Sequence, residues 1–297
     1  MLRSFFIYLS QLAVLRRWME HSALARPLTR RFIAGNTLDE ALAVCQKMNA
    51  EGILTTLDHL GESVTAVSEA NRSRDHCLDA LRQIAARKLQ STVSIKLTQM
   101  GLDIDEALCL SNARMLVALA KETGNRVEFD MESSGYVDRT LAIVEKLHEE
   151  FGCVRAVIQA YLFRSESDIE KLNRSLLPVR ICKGAYAEPG NVAFDDKAQV
   201  DNNYLKLAHL LLTEGAYPAI ATHDERMVLA GETFPKDSFE YQMLYGVRRD
   251  LQRKLVAEGF RVRIYVPYGE AWFPYFMRRL AERPANVLFL LRNFFKN

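Results

Sequence analysis

Residues 92–131 read TVSIKLTQMGLDIDEALCLSNARMLVALAKETGNRVEFDM, and they contain one complete unit of a repeating design. The run 92–97 alternates polar and apolar side chains, as a half-buried strand does. The stretch 105–121 then places Ala107, Leu110, Ala113 or Leu116, and Leu119 on one helical face. Gly124 stands where that helix should stop, and 126–131 begins the next run. Outward from this unit the same order recurs. Apolar or β-branched runs occupy 52–57, 156–161, 179–183, 217–222, 240–244 and 262–266. Amphipathic stretches at 137–151, 197–214 and 272–281 accompany them, and Gly152, Gly215 and Gly259 mark further helix ends. Eight strand–helix units in about 235 residues predict an α/β protein, a (β/α)8 barrel of the TIM type. A doubly wound open sheet is the alternative; it would be expected to carry a G-x-G-x-x-G phosphate loop, which is absent. The expected division is an N-terminal helical arm at 1–50 and a catalytic barrel at 51–297.

The chain has 297 residues, of which 49% are hydrophobic and 26% charged, the balance of an ordinary globular protein. Its 39 basic and 37 acidic residues leave a net charge of +2, without the clustered basic footprint that nucleic-acid binding needs. Cys45, Cys77, Cys109, Cys153 and Cys182 are scattered, odd in number and free of any C-x-x-C pair. That usage predicts reduced thiols in a cytoplasmic protein, not a disulfide framework or a zinc site. Near the N-terminus, FFIYLSQLAVL lies between Arg3 and Arg16-Arg17. It is far short of the roughly 20 residues of a membrane span, and no small-residue cleavage site follows it. It reads as an amphipathic helix packed on the domain, with peripheral membrane contact as the alternative.

In such a barrel, chemistry gathers at the C-terminal ends of the strands. Lys96 ends the second run, Glu128 and Asp130 the third, and Gln159 and Arg164 close the fourth. Arg180 and Lys183 flank the end of the fifth, before Gly184-Ala185-Tyr186; Thr222-His223-Asp224 ends the sixth, and Tyr265 lies on the eighth. Charges inside strands are costly to bury unless paired. One such residue reads as a structural ion pair, whereas five or six at one end predict a polar functional centre. Each has a plainer reading when taken singly. Lys96 pairs with Glu128 or Asp130 to hold the barrel together, His223 is a core histidine satisfied by a backbone carbonyl, and Cys182 is packing. No spacing suggests a metal site, and no Ser or Cys sits in a nucleophile pattern. Past the eighth run, Trp272, Tyr275, Arg278-Arg279 and Glu282 share one amphipathic stretch. The arginine pair is either a solvated basic face or a clamp for a small carboxylate.

These segments resemble the proline dehydrogenase family, specifically its short monofunctional bacterial type. The matching motifs are Ser94-Ile95-Lys96-Leu97, Glu128-Phe129-Asp130-Met131-Glu132, Gln159-Ala160-Tyr161-Leu162-Phe163-Arg164 and Arg180-Ile181-Cys182-Lys183-Gly184-Ala185-Tyr186. They continue with Ala221-Thr222-His223-Asp224, Glu240-Tyr241-Gln242-Met243-Leu244-Tyr245-Gly246, Arg263-Ile264-Tyr265-Val266-Pro267-Tyr268-Gly269 and Tyr275-Phe276-Met277-Arg278-Arg279-Leu280-Ala281-Glu282. The resemblance implies a barrel that binds FAD non-covalently and oxidises L-proline to Δ1-pyrroline-5-carboxylate, the first step of proline catabolism. A hydride passes from C5 of the ring to flavin N5, and electrons then pass to a membrane quinone. It implies that Arg278, Arg279 and Lys96 bind the proline carboxylate, while Tyr265, Leu244 and Tyr186 shape the pocket. Arg180 lies beside flavin N5 and Asp130 orders the site. Met131, Gln159, Lys183, Gly184, Ala185, Thr222 and His223 contact FAD, and Glu62 pairs with Arg278 as a gate. The sequence departs from the family at Cys182, where a small aliphatic residue is usual, and at Phe163, where Tyr is frequent; both substitutions bear on the flavin's surroundings. The implied place of action is the cytoplasm, with peripheral contact at the inner face of the membrane. The apolar and basic tail 287–296 either covers the flavin or touches that membrane.

The chemistry is consistent with that assignment. No side chain accepts a hydride, so oxidation of an amine needs a cofactor. A cationic cluster fixes the substrate carboxylate and favours the neutral amine that hydride loss requires. Lys183-Gly184-Ala185 can meet phosphates without a Rossmann fingerprint. Two other classes remain open on the residues alone. One is a Schiff-base lyase with Lys96 or Lys183 as nucleophile; the other is a barrel that senses an amino acid without turning it over.

Overall fold

The structure, a computed structural model, describes residues 30–61, 63–273 and 275. Eight parallel strands pair in chain order and close into a barrel: β1 (Leu54–His59), β2 (Ser91–Ile95), β3 (Val127–Phe129), β4 (Val154–Gln159), β5 (Val179–Cys182), β6 (Ala219–Ala221), β7 (Glu240–Leu244) and β8 (Val262–Tyr268). Closure is made by β1 on β8, with Leu54 opposite Arg263 and His59 opposite Tyr268. The eight runs expected from the sequence match these strands to within two residues at either end.

A helix precedes β1, and one follows each strand from β1 to β7. They are α1 (Leu38–Ala50), α2 (Val67–Ala86), α3 (Glu106–Glu122), α4 (Val137–Phe151), α5 (Ser165–Arg174), α6 (Lys197–Glu214), α7 (Glu225–Leu229) and α8 (Arg249–Ala257). Local chemistry sets their ends. Thr37 and Glu40 form a reciprocal capping box at the start of α1, and Asp105 and Asp196 cap α3 and α6. The buried face of α1, with Ala41, Leu42 and Cys45, joins the same apolar core as Ile53 and Leu57. The expected N-terminal helix before residue 30 lies outside the described residues, as do Glu62 and most of 272–281.

Two expectations need correction. In α3 the buried face is Cys109, Asn112, Ala113, Leu116, Val117 and Ala120, not the one through Ala107 and Leu110. The face turned because a polar residue belongs to it: Asn112 lies buried with its Nδ2 donating to the Met100 carbonyl at 3.1 Å. Gly215 does end α6, but with φ −82°, outside the left-handed region. Its role there is close approach, since an added Cβ would stand 2.5 Å from the Leu211 carbonyl oxygen.

The strands divide the molecule into two interiors. Outward positions such as Val93, Ile95, Phe129, Ile158, Ile181, Tyr241, Met243 and Ile264 are buried beneath the helices in a continuous apolar core. The alternate positions face into the barrel, and most of them are polar, with Val157 and Ala219 among the apolar exceptions. Register runs from Asp58 to Ser94, Ser94 to Glu128 and Glu128 to Arg155. On the other side it joins Ala219 to Glu240, Gln242 to Arg263 and Thr56 to Tyr265. A period of two sends these residues to the same wall.

Candidate active site

The inward side chains carry four carboxylates and four cations. Glu128 and Glu240 lie deep with Arg155 and Arg263; Asp58 and Asp130 lie nearer the C-terminal mouth with Lys96 and Arg180. Barrels of this type are usually filled by branched aliphatic residues. A charged filling is tolerable only when opposite charges are matched and their hydrogen-bonding groups are used; here each carboxylate meets a cation, and Arg155 Nε is left without a hydrogen-bond partner among the described residues. Burial disfavours the ionised carboxyls of Glu128 and Glu240, but the surrounding guanidiniums outweigh it and hold Glu128 below, and Glu240 well below, the usual carboxylate range.

Asp130 is the meeting point. It follows β3 directly, and its backbone N–H still donates to the Ile95 carbonyl at 2.8 Å, so the ladder holds its side chain over the barrel. The Tyr265 hydroxyl donates to Oδ2 at 2.6 Å and Lys96 Nζ to the same oxygen at 3.2 Å. The Ser94 hydroxyl donates to Oδ1 at 2.7 Å, and Arg180 Nη2 also donates to Oδ1. Burial pushes this carboxyl up, but Arg180, Lys96 and the two hydroxyls pull it down further, so it is firmly ionised. Burial likewise opposes the Arg180 charge, and Asp130 with Glu128 overcomes it. The phenol of Tyr265 is raised by burial and by the neighbouring carboxylates, and therefore stays a donor. Lys96 is shared with Asp58, 3.6 Å away, and not with Glu128.

Around the mouth stand the other residues expected at the site. Lys183 turns outward from the end of β5 to Asp201 at 2.6 Å and Asp224 at 3.6 Å, while Arg180 turns inward, so the two do not flank one space. Gly184 has φ +111°, and a Cβ there would stand 2.3 Å from the Tyr161 ring. Glycine is required on both counts. Ala185 and Tyr186 follow in the same loop, with Tyr186 half-buried. The loop is fastened by Glu188, whose carboxylate accepts from the Ser134 N–H at 2.7 Å, the Ser134 hydroxyl and the Tyr161 hydroxyl. Gln159 is buried and gives its Nε2–H to the Glu132 carbonyl at 2.7 Å, beside buried Met131. After β6, the Thr222 hydroxyl accepts the Asp224 N–H at 3.0 Å. His223 Nε2 accepts the Leu244 N–H at 2.8 Å. The histidine thus meets a backbone N–H, and accepting at Nε2 places the proton of the neutral ring on Nδ1. Leu244 is half-buried at the end of β7.

The structure therefore unites Lys96, Asp130, Arg180 and Tyr265 in one contact network, and sets Met131, Gln159, Lys183, Gly184, Ala185, Tyr186, Thr222, His223 and Leu244 on the strand ends and loops of the same face. Arg164 points away, to Asp168 at 2.8 Å and Asp138 at 2.6 Å. Arg278, Arg279 and Glu62 lie outside the described residues. Sequence reasoning passed over Asp58, Arg155, Glu240, Gln242 and Arg263. For the last four the signal was present: each alternates with apolar neighbours that must face the helices, which leaves only the barrel interior for it.

The sequence model of one family, described as Proline dehydrogenase, matches residues 41–292. The chain is 42% identical over 303 residues to Proline dehydrogenase 1 of Bacillus subtilis (strain 168), with 100% of both chains covered. It is 41% identical over 280 residues to Proline dehydrogenase of Deinococcus radiodurans, covering 91% of this chain and 90% of that one. Among solved structures it is similar to proline utilization A from Bdellovibrio bacteriovorus inactivated by N-propargylglycine. That match has a TM-score of 0.82 and 28% identity, and covers 92% of this chain but 34% of the longer one.

Proposed function

The chain belongs to the proline dehydrogenase family, and from that premise we propose that it oxidises L-proline to Δ1-pyrroline-5-carboxylate with bound FAD, electrons passing on to a membrane quinone. Proline oxidation, an oxidoreductase step of proline catabolism, is the activity of the family. The observation that carries the finer reading is the convergence of Lys96, Arg180 and Tyr265 on the buried carboxylate of Asp130.

Asp130 fixes the Lys96 ammonium and the Tyr265 phenol at the mouth of the barrel without itself facing bulk water. Lys96 then joins Arg278 and Arg279 on the proline carboxylate; the part of the two arginines rests on the resemblance. Cations at that end favour loss of the proton from the bound amine. Tyr265, Leu244 and Tyr186 bound the space for the ring. Non-covalent FAD, when present, supplies the acceptor for the hydride that leaves proline C5. The residues present fit such a group. Lys183, the backbone of Gly184 and Ala185, Thr222 and the Nδ1–H of His223 give cationic and N–H or O–H donors along one rim, with Gln159 and Met131 buried beside them and the Arg180 guanidinium inside. A lysine lyase loses support, because Lys96 and Lys183 each pair with two carboxylates, whereas a Schiff-base nucleophile must be a neutral amine.

The proposal extends to the arm at 1–50 beside the barrel at 51–297, and to peripheral contact with the membrane that holds the quinone. Among the described residues no helix is long and apolar enough to cross a membrane. Steady-state proline oxidation by Asp130→Asn is the test. Loss of a buried charge pairing two cations and a phenol lowers kcat/KM by about 100-fold or more, near 3 kcal/mol. Turnover at the wild-type rate would contradict the assignment.

A further inference from the structure

Arg180 does not stand on Asp130 alone. Its guanidinium bridges two carboxylates of one strand edge: Nη2 donates to Asp130 at the mouth, and Nη1 donates to Glu128 Oε2 at 3.2 Å, one layer deeper. Nη1 also reaches Gln242 Oε1 at 3.1 Å, and the Tyr265 ring lies 5.5 Å from the guanidinium carbon. Glu128 itself is fully buried and its two oxygens divide their work. Oε1 accepts from Thr92 and Arg155, each at 3.3 Å. Oε2 accepts from Arg180 and from Gln242 Nε2, the latter at 3.1 Å. Glu240 serves Arg155, Arg263 and Gln242 instead. Of the two deep carboxylates, only Glu128 has a described contact with Arg180.

The geometry points to Glu128 as a positioning residue for Arg180, fixing where that guanidinium stands and how much of its positive charge reaches the electron acceptor; this rests on the flavin-dependent reading above. The physical reason is competition. Asp130 is shared by Arg180, Lys96 and Tyr265, so it cannot compensate Arg180 alone. Glu128 takes up part of that charge from below and draws the guanidinium down the barrel axis. Gln242 couples the two deep carboxylates, because its amide gives N–H to both while its oxygen accepts from Arg180. Without the Glu128 charge, Arg180 moves towards Asp130 and the mouth becomes more positive. A more positive site stabilises the anionic, reduced form of the acceptor, while a displaced guanidinium impairs the alignment on which hydride transfer depends.

The experiment uses full-length holoenzyme carrying Glu128→Gln, with Glu128→Asp as the charge-conserving comparison. Two quantities are read: the flavin midpoint potential, by anaerobic dye equilibration without proline, and the rate constant of flavin reduction by saturating L-proline. In Glu128→Gln the midpoint rises by about 30 mV or more, a tenfold change in a two-electron equilibrium. The rate constant falls by about tenfold or more, while KM stays near the wild-type value because the carboxylate clamp is untouched. Glu128→Asp restores most of the potential and less of the rate. Should Glu128→Gln fail to fold, Glu128→Gln with Arg155→Gln keeps the floor charge-balanced, and the same slowed reduction is expected. A variant with lowered Tm but wild-type potential and reduction rate would reduce Glu128 to a structural ion pair and overturn the inference. Wild-type protein that binds no flavin, or whose flavin proline leaves oxidised, would instead overturn the flavin reading itself, and the inference with it.

Discussion

Asp130 and His59 show opposite outcomes of burial. Asp130 is surrounded by two cations and two hydroxyl donors, and stays charged in spite of its burial. His59 has no such company. Its Nδ1 is buried without a hydrogen-bond partner among the described residues, and its ring stacks on His76 at 4.6 Å. Burial, and then the charge on His76, lower its pKa from 6.5 to about 4. Above about pH 6.5 the ring is neutral in folded and unfolded chains alike. As pH falls towards 4, the unfolded chain binds a proton that the folded one refuses, so stability drops across that window and levels off below it. The full difference is about 3 kcal/mol. His59→Asn therefore flattens the decline of Tm between pH 6.5 and 4; an unchanged slope would place the titrating group elsewhere. Lys96, Asp130, Arg180 and Tyr265 were legible in the sequence because polar residues interrupt strand-like runs. Asp58, the second partner of Lys96, was not, because it falls just past the run at 52–57 and looks like loop.

Among the elements, the loop between β5 and α6 has the strictest demands. Gly184 holds a left-handed φ against the Tyr161 ring, and Glu188 ties the loop to Ser134 in the turn after β3. Gly184→Ala must strain the backbone and displace an aromatic ring, at a cost of about 1–3 kcal/mol. Because the same loop is proposed to meet the flavin phosphates, FAD affinity in equilibrium dialysis should weaken together with urea stability. Wild-type affinity in this variant would detach the loop from the cofactor. The strands were readable from period-two alternation, and the helix ends from glycines and caps. The face of α3 was not, since a hydrophobicity argument cannot foresee that Asn112 turns inward to satisfy a carbonyl.

For the whole molecule, the count of eight strand–helix units disclosed the barrel, but not what fills it. That required knowing which alternate residues face inward, and hence that Glu128, Arg155, Glu240 and Arg263 neutralise one another across strands remote in sequence. Such a filling is intolerant of single losses. Arg155→Met leaves Glu128 and Glu240 short of one cation in a fully buried place and is expected to cost about 3–5 kcal/mol. A Tm within a degree or two of wild type would show that the floor relaxes or admits water. The matched charges also explain how a site of fixed cations can stand at one end of a barrel that remains stable. Whether that site oxidises proline with a flavin is tested most directly by an anaerobic absorbance spectrum of the purified protein, taken before and after L-proline. An oxidised-flavin spectrum that bleaches on addition is the predicted result; no flavin even after added FAD, or a flavin that proline leaves unchanged, would contradict it.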